Sequence, residues 1–95
     1  MGKHYYVYIL ASKWDHVIYA GVTSDLKRRV WQHRTGSVDG FTKRYRVHHL
    51  VHFEILADPY NAINREKQIK SWSRARKNRL IESHNPQWRD LFDDI

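Results

Sequence analysis

The chain has no cysteine. Disulfides, thiolate catalysis and cysteine-bound zinc are therefore excluded. Proline is scarce, with only Pro59 and Pro86 in 95 residues. No apolar run approaches the roughly 20 residues that a helix needs to cross a bilayer. The opening Met1-Gly2-Lys3-His4-Tyr5-Tyr6 lacks the apolar stretch and small-residue cleavage site of a signal peptide. Gly2 opens no myristoylation pattern, because position 6 is tyrosine rather than serine or threonine. A cytoplasmic location is the default expectation. Acidic residues are also in short supply. Ten stand against 17 lysines and arginines, for a net charge of +7. Such a balance implies an anionic partner, either nucleic acid or a membrane surface, unless it is merely a solvated exterior.

Aromatic residues are plentiful: four Trp, six Tyr and three Phe. The length suits one domain, residues 1–95. A domain of this size buries only about 60–65% of the surface its unfolded chain exposes. Large side chains must carry much of such a thin core.

Tyr5–Ala11 and Val17–Val22 are aromatic and β-branched and read as strands. The short polar segment between them makes a hairpin. Thr23-Ser24-Asp25 is a cluster of helix-capping residues, followed by Leu26, Val30 and His33 at helical spacing. That predicts a helix over about 25–35, ended by Gly36. Residues 36–49 show no period and read as a basic loop, with Phe41 and Tyr45 interleaved among its cations. Residues 50–56 alternate Val51, Phe53 and Ile55 against His52 and Glu54, the pattern of a third strand. Asp58-Pro59 starts a helix over about 59–71, with Ala62, Ile63, Ile69 and Trp72 on its buried side. Ser73 caps another over about 74–84, which Asn85-Pro86 stops. The tail keeps Trp88, Leu91, Phe92 and Ile95, apolar enough to dock back.

The expected class is α+β, a small three-stranded antiparallel sheet flanked by helices in the order β-β-α-β-α-α. Its core spans about 5–84, and the tail 85–95 docks on it.

Several residues carry chemistry. Tyr8 and Tyr19 lie side by side if the hairpin register puts them on one face; otherwise they are plain core aromatics. Gly21, near a strand end, permits close approach of another backbone or a phosphate. Arg29 and His33 are four apart and share a helix face. Arginine suits phosphate, because its planar fork donates two hydrogen bonds at once. Glu66 lies midway between Ile63 and Ile69 on the inward stripe, where a carboxylate needs a partner or a metal. Lys70, four residues on, is the bland partner.

This constellation resembles the GIY-YIG nuclease domain. Tyr6-Val7-Tyr8 corresponds to its first motif and Tyr19-Ala20-Gly21 to its second. Arg29 matches its arginine and Glu66 its metal-binding glutamate. The segment Arg65-Glu66-Lys67-Gln68-Ile69-Lys70 with Trp72 is similar to small stand-alone bacterial members, as is Asn85-Pro86-Gln87-Trp88-Arg89-Asp90-Leu91. The likeness covers residues 5 to about 92. Tyr6 and Ala20 depart from the motif letters, at scaffold positions on strands. A downstream asparagine falls on either Asn78 or Asn85.

The resemblance implies metal-dependent hydrolysis of phosphodiesters, with DNA ahead of RNA and repair or recombination as a setting. Glu66 would hold one Mg²⁺ or Mn²⁺, Arg29 would neutralise phosphoryl oxygens, and Tyr8 would orient the attacking water. Tyr19 or His33 would be the base. A free tyrosine titrates near 10, roughly, and a free imidazole near neutrality. Lys43, Arg44, Arg46, Lys70, Arg74, Arg76 and Lys77 would track phosphates, while Phe41, Tyr45 and Trp72 would stack on unpaired bases. The rival readings are a non-catalytic nucleic-acid-binding module on the same scaffold and an adaptor working through the Trp88–Ile95 tail.

Overall fold

The computed structural model describes residues 3–14, 16–37 and 40–95. Strand β1 (Tyr5–Ala11) turns back into β2 (Ile18–Thr23), followed by α1 (Leu26–Arg34), a single-turn α2 (Phe41–Arg44), β3 (His49–Leu56), α3 (Pro59–Ser71) and α4 (Arg74–His84). A 3₁₀ turn at Phe92–Asp94 closes the chain. The three strands form one antiparallel sheet in the order β2-β1-β3. The α+β class and the element order match the expectation, with one addition: α2 lies within what reads as an irregular loop. Four residues are too few to show a helical period.

β1 is the central strand, and both its faces are covered. Val7 through Ala11 are all 2% exposed or less. That explains its unbroken apolar run, since alternation appears only where one face is wet. Val7, Ile9 and Ala11 meet Ala62 and Ile69 of α3 and Ile81 of α4. Tyr8 and Leu10 meet Leu26 and Val30 of α1, with Phe92 and Ile95 of the tail packed alongside.

The caps are those the sequence shows. Asp25 accepts from the Arg28 N–H, Asp58 from Asn61 and Ser73 from Arg76. Each satisfies a backbone donor that the helix itself leaves unpaired.

Two expectations need correction. The β1–β3 register shifts between Ile9 and Leu10, so Ile9 faces His52 while Leu10 faces Leu50. Val51 is the extra residue, and the simple alternation of β3 fails there. Val51 and His52 are both buried, whereas Ile55 is 58% exposed. Ile63 is the second: it lies outside the buried stripe of α3 and is 42% exposed. Trp72 caps that helix and packs half-buried against the core.

The tail docks through Asn85 and Asp90. The Asn85 amide donates to the carbonyls of Val51 and Arg89 and accepts from the Arg89 N–H. Asp90 accepts from the Leu50 N–H at 3.2 Å and pairs with Arg34. These bonds cover part of the otherwise open β3 edge.

Candidate active site

The site is built on the face of the sheet that carries α1. Tyr8 pairs with Gly21 across the hairpin, and Leu10 with Tyr19. Residues two apart on a strand share a face, so Tyr8 and Tyr19 stand diagonally adjacent. Their ring centroids are 6.4 Å apart. A β-carbon at Gly21 would lie 2.4 Å from the Tyr8 phenol oxygen. What closely approaches this glycine is thus the Tyr8 ring, rather than another backbone.

α1 supplies His33 from above. It is 1% exposed, with Nε2 at 3.2 Å from the Tyr8 hydroxyl and Nδ1 at 2.8 Å from Thr42 Oγ1. Its ring also faces Tyr19, with centroids 5.6 Å apart. Burial, then the charges of Arg29 and His48, lower its pKa, so the imidazole is neutral at pH 7. The Tyr8 phenol is pushed far upward by burial and by Tyr19, with Glu66 adding to the rise and Arg29 opposing it. Tyr8 is therefore a proton-bearing hydroxyl in this site.

Arg29 is half-buried on α1, beside a cavity of about 300 Å³ shared with Thr23, Arg28 and Gln32. Glu66 projects from α3, which packs along both β1 and the edge strand β2. Its side chain is 17% exposed and pairs with Lys70 Nζ at 3.3 Å. Lys70 in turn reaches around the β2 edge to lie 5.7 Å from the Tyr19 ring centroid. The helix-spaced partner expected from the sequence is present.

Among the described residues no group of three or more His, Cys, Asp or Glu forms a metal cage. A lone carboxylate suffices for Mg²⁺, which keeps several waters and binds one or two carboxylates together with substrate phosphates. Glu66 suits that arrangement: its carboxylate is partly open to solvent and pairs with the Lys70 ammonium. The donor set therefore fits a hard divalent cation.

The seven basic residues expected to track phosphates are not brought to one spot. Lys70 and Lys77 line a groove of about 310 Å³ with Ile18, Tyr19 and Phe41. Arg44 lies over Tyr45, and Lys43 packs its stem near Gly36. Arg46 is exposed, at the turn that leads into β3. Arg74 donates to the His16 carbonyl and to Asn78, tying α4 to the hairpin connection. Arg76 lies over Trp72, 4.1 Å from the ring centroid. Of the two asparagines, Asn85 is spent on the tail, and Asn78 stays half-exposed on α4. Thr42 carries no sequence signal. It is a buried hydroxyl in a polar, aperiodic stretch, and only the fold brings it against His33.

A model of the GIY-YIG catalytic domain matches residues 4–80. The chain belongs to the GIY-YIG family. It is 38% identical over 82 residues to a UPF0213 protein of Haloquadratum walsbyi, covering 86% of this chain and 91% of that one. It is 39% identical over 88 residues to a UPF0213 protein of Syntrophus aciditrophicus, covering 92% and 98%. The solution NMR structure of a UPF0213 protein from Bacillus halodurans superposes with a TM-score of 0.59 at 28% identity, over 93% of each chain. GIY-YIG membership supports a nuclease ancestry, and Tyr8 and Tyr19, from the two segments that resemble the motifs, lie against each other. Among the described residues, no helix is long and apolar enough to cross a membrane.

Proposed function

We propose that this GIY-YIG protein is a divalent-metal-dependent endonuclease that hydrolyses phosphodiester bonds in DNA with structural or weak sequence selectivity. The observation that carries this reading is the packing of Tyr8, Tyr19 and His33 against one another, with Arg29 one turn before His33 on α1 and Lys70, the partner of Glu66, over the Tyr19 ring. A binding surface has no need of that set.

Glu66 would hold Mg²⁺ or Mn²⁺ through its carboxylate. When bound, the cation supplies Lewis-acid polarisation of a phosphate oxygen. Arg29 neutralises charge on the phosphoryl oxygens, where a preorganised donor counts most. Tyr8 keeps its proton and donates a hydrogen bond that orients the attacking water. Tyr19 Oη accepts that water's proton. His33 is fully buried with both nitrogens engaged, which supports a positioning role for it and favours Tyr19 as the base.

The Glu66–Lys70 ion pair favours one other reading, a module that binds nucleic acid without cutting it. Incubating wild type and Glu66→Gln with single-stranded, duplex and branched DNA in Mg²⁺, Mn²⁺ or EDTA separates the two. Cleavage by wild type should fall about 100-fold or more in Glu66→Gln and stop in EDTA. Binding of every substrate with no cleavage would establish the module.

A further inference from the structure

Three aromatic rings run outward from the candidate site. Tyr19 and Phe41 have centroids 6.3 Å apart and are stacked, with 29° between their planes. Phe41 and Tyr45 follow at 4.9 Å. Phe41 is 45% exposed and Tyr45 46%. Rings left this open in one contiguous group forgo much of the burial energy that aromatics otherwise supply, and such patches mark ligand surfaces.

Their support is buried. Thr42 and Val47, on either side of the exposed turn, are 2% and 0% exposed. Gly40 has φ +102°, a conformation that suits glycine, and it sets Phe41 at the start of α2. Cations stand at both ends of the row. Lys70 Nζ is 5.7 Å from the Tyr19 centroid, and the Arg44 guanidinium is 5.5 Å from that of Tyr45. Trp72, the other stacking candidate in the sequence, is already occupied, with Arg65 and Arg76 within 5.1 Å and 4.1 Å of its centroid.

We infer that Tyr19, Phe41 and Tyr45 form a stacking platform for unpaired nucleobases, so that the protein selects single-stranded tracts over fully paired ones. This inference rests on the nuclease reading for its ligand class. A base inside a duplex has both faces covered by its neighbours, so only an unpaired base offers a face to an aromatic ring. Every base has such a face, and the platform is therefore blind to sequence. The flanking cations take the phosphates. Charge alone would not produce this preference, because a duplex carries the denser charge. Since the row begins at Tyr19, the stacked bases flank the phosphodiester to be cut.

The test uses full-length Glu66→Gln protein, which binds without cutting. Its probes are a short oligonucleotide carrying 2-aminopurine, the same strand in a duplex, and its RNA counterpart. Binding should quench the unpaired 2-aminopurine, and quenching of either the DNA or the RNA strand supports the platform while showing which sugar the groove accepts. Phe41→Ala and Tyr45→Ala should each weaken single-strand binding about tenfold and leave duplex binding within about twofold. Phe41→Leu keeps apolar bulk without a ring and should bind single strands as Phe41→Ala does, while Phe41→Trp should restore affinity. Equal single-strand affinity for the Phe, Leu and Trp forms would overturn the platform, as would the absence of quenching. Wild-type protein that cuts duplex and single strand at equal rates would overturn it too, leaving the nuclease reading standing. Selective binding with no cleavage in Mg²⁺ or Mn²⁺ would do the reverse.

Discussion

A methyl group on Gly21 would press into the Tyr8 ring, 2.4 Å from its oxygen and 2.5 Å from the carbon that bears it. Tyr8 has nowhere to go, because it is 2% exposed and its hydroxyl meets His33. Gly21→Ala should therefore destabilise the fold by about 1–3 kcal/mol, the usual cost of overpacking. Urea unfolding would measure it, and an unchanged midpoint would show that the ring yields freely. The sequence showed that this glycine matters but not what it accommodates. A tripeptide cannot say which cross-strand residue faces it; the register does. The same holds for His33. Its helical spacing with Leu26 and Val30 marked it as inward, yet its two partners lie 25 and 9 residues away in the chain.

At the scale of elements, β3 is clamped to α3 by Glu54 and Arg65. The guanidinium donates Nε and a terminal nitrogen to the two carboxylate oxygens at 2.7 and 3.0 Å, and His52 Nε2 donates at 2.8 Å. Burial alone would raise the Glu54 pKa, but these bonds and charges outweigh it and hold the carboxyl down at about 2. A depressed carboxyl stabilises the fold above its unfolded value, about 4.5, and that contribution is lost as pH falls towards about 2. Glu54→Gln should be less stable than wild type by about 2–3 kcal/mol near pH 7. The gap should stay constant down to about pH 5 and close between there and pH 2. Thermal unfolding across that range checks it; a gap independent of pH would mean that the pair contributes packing alone. The two long helices and their caps were legible because capping and helical spacing are local. The alternation of β3 misled, because the Val51 bulge and the double-sided cover of the sheet are not local.

For the whole molecule, the relevant quantity is where its net +7 sits. Arg34, Arg65 and Arg89 are matched by Asp90, Glu54 and Asp94. Lys77 lines the groove beside Tyr19, and Arg44 sits at the far end of the aromatic row. Binding of a single strand should weaken linearly in log–log form as salt rises, each phosphate contact adding about 0.7 to the slope. Arg44→Gln together with Lys77→Gln should flatten that slope by about 1.4, read from titrations at several salt concentrations. A slope unaffected by either substitution would remove both residues from the strand's path. Composition pointed to an anionic partner and excluded thiol chemistry. Local pattern determined the strands, the long helices, their caps and the inward stripe that holds Glu66. Tertiary structure alone decided that α3 passes the β2 edge closely enough for Lys70 to reach the Tyr19 ring. It alone brought Thr42 to His33 and laid Phe41 against Tyr19. Those contacts join residues far apart in the chain, and no local pattern encodes the route by which an edge strand lets two layers meet.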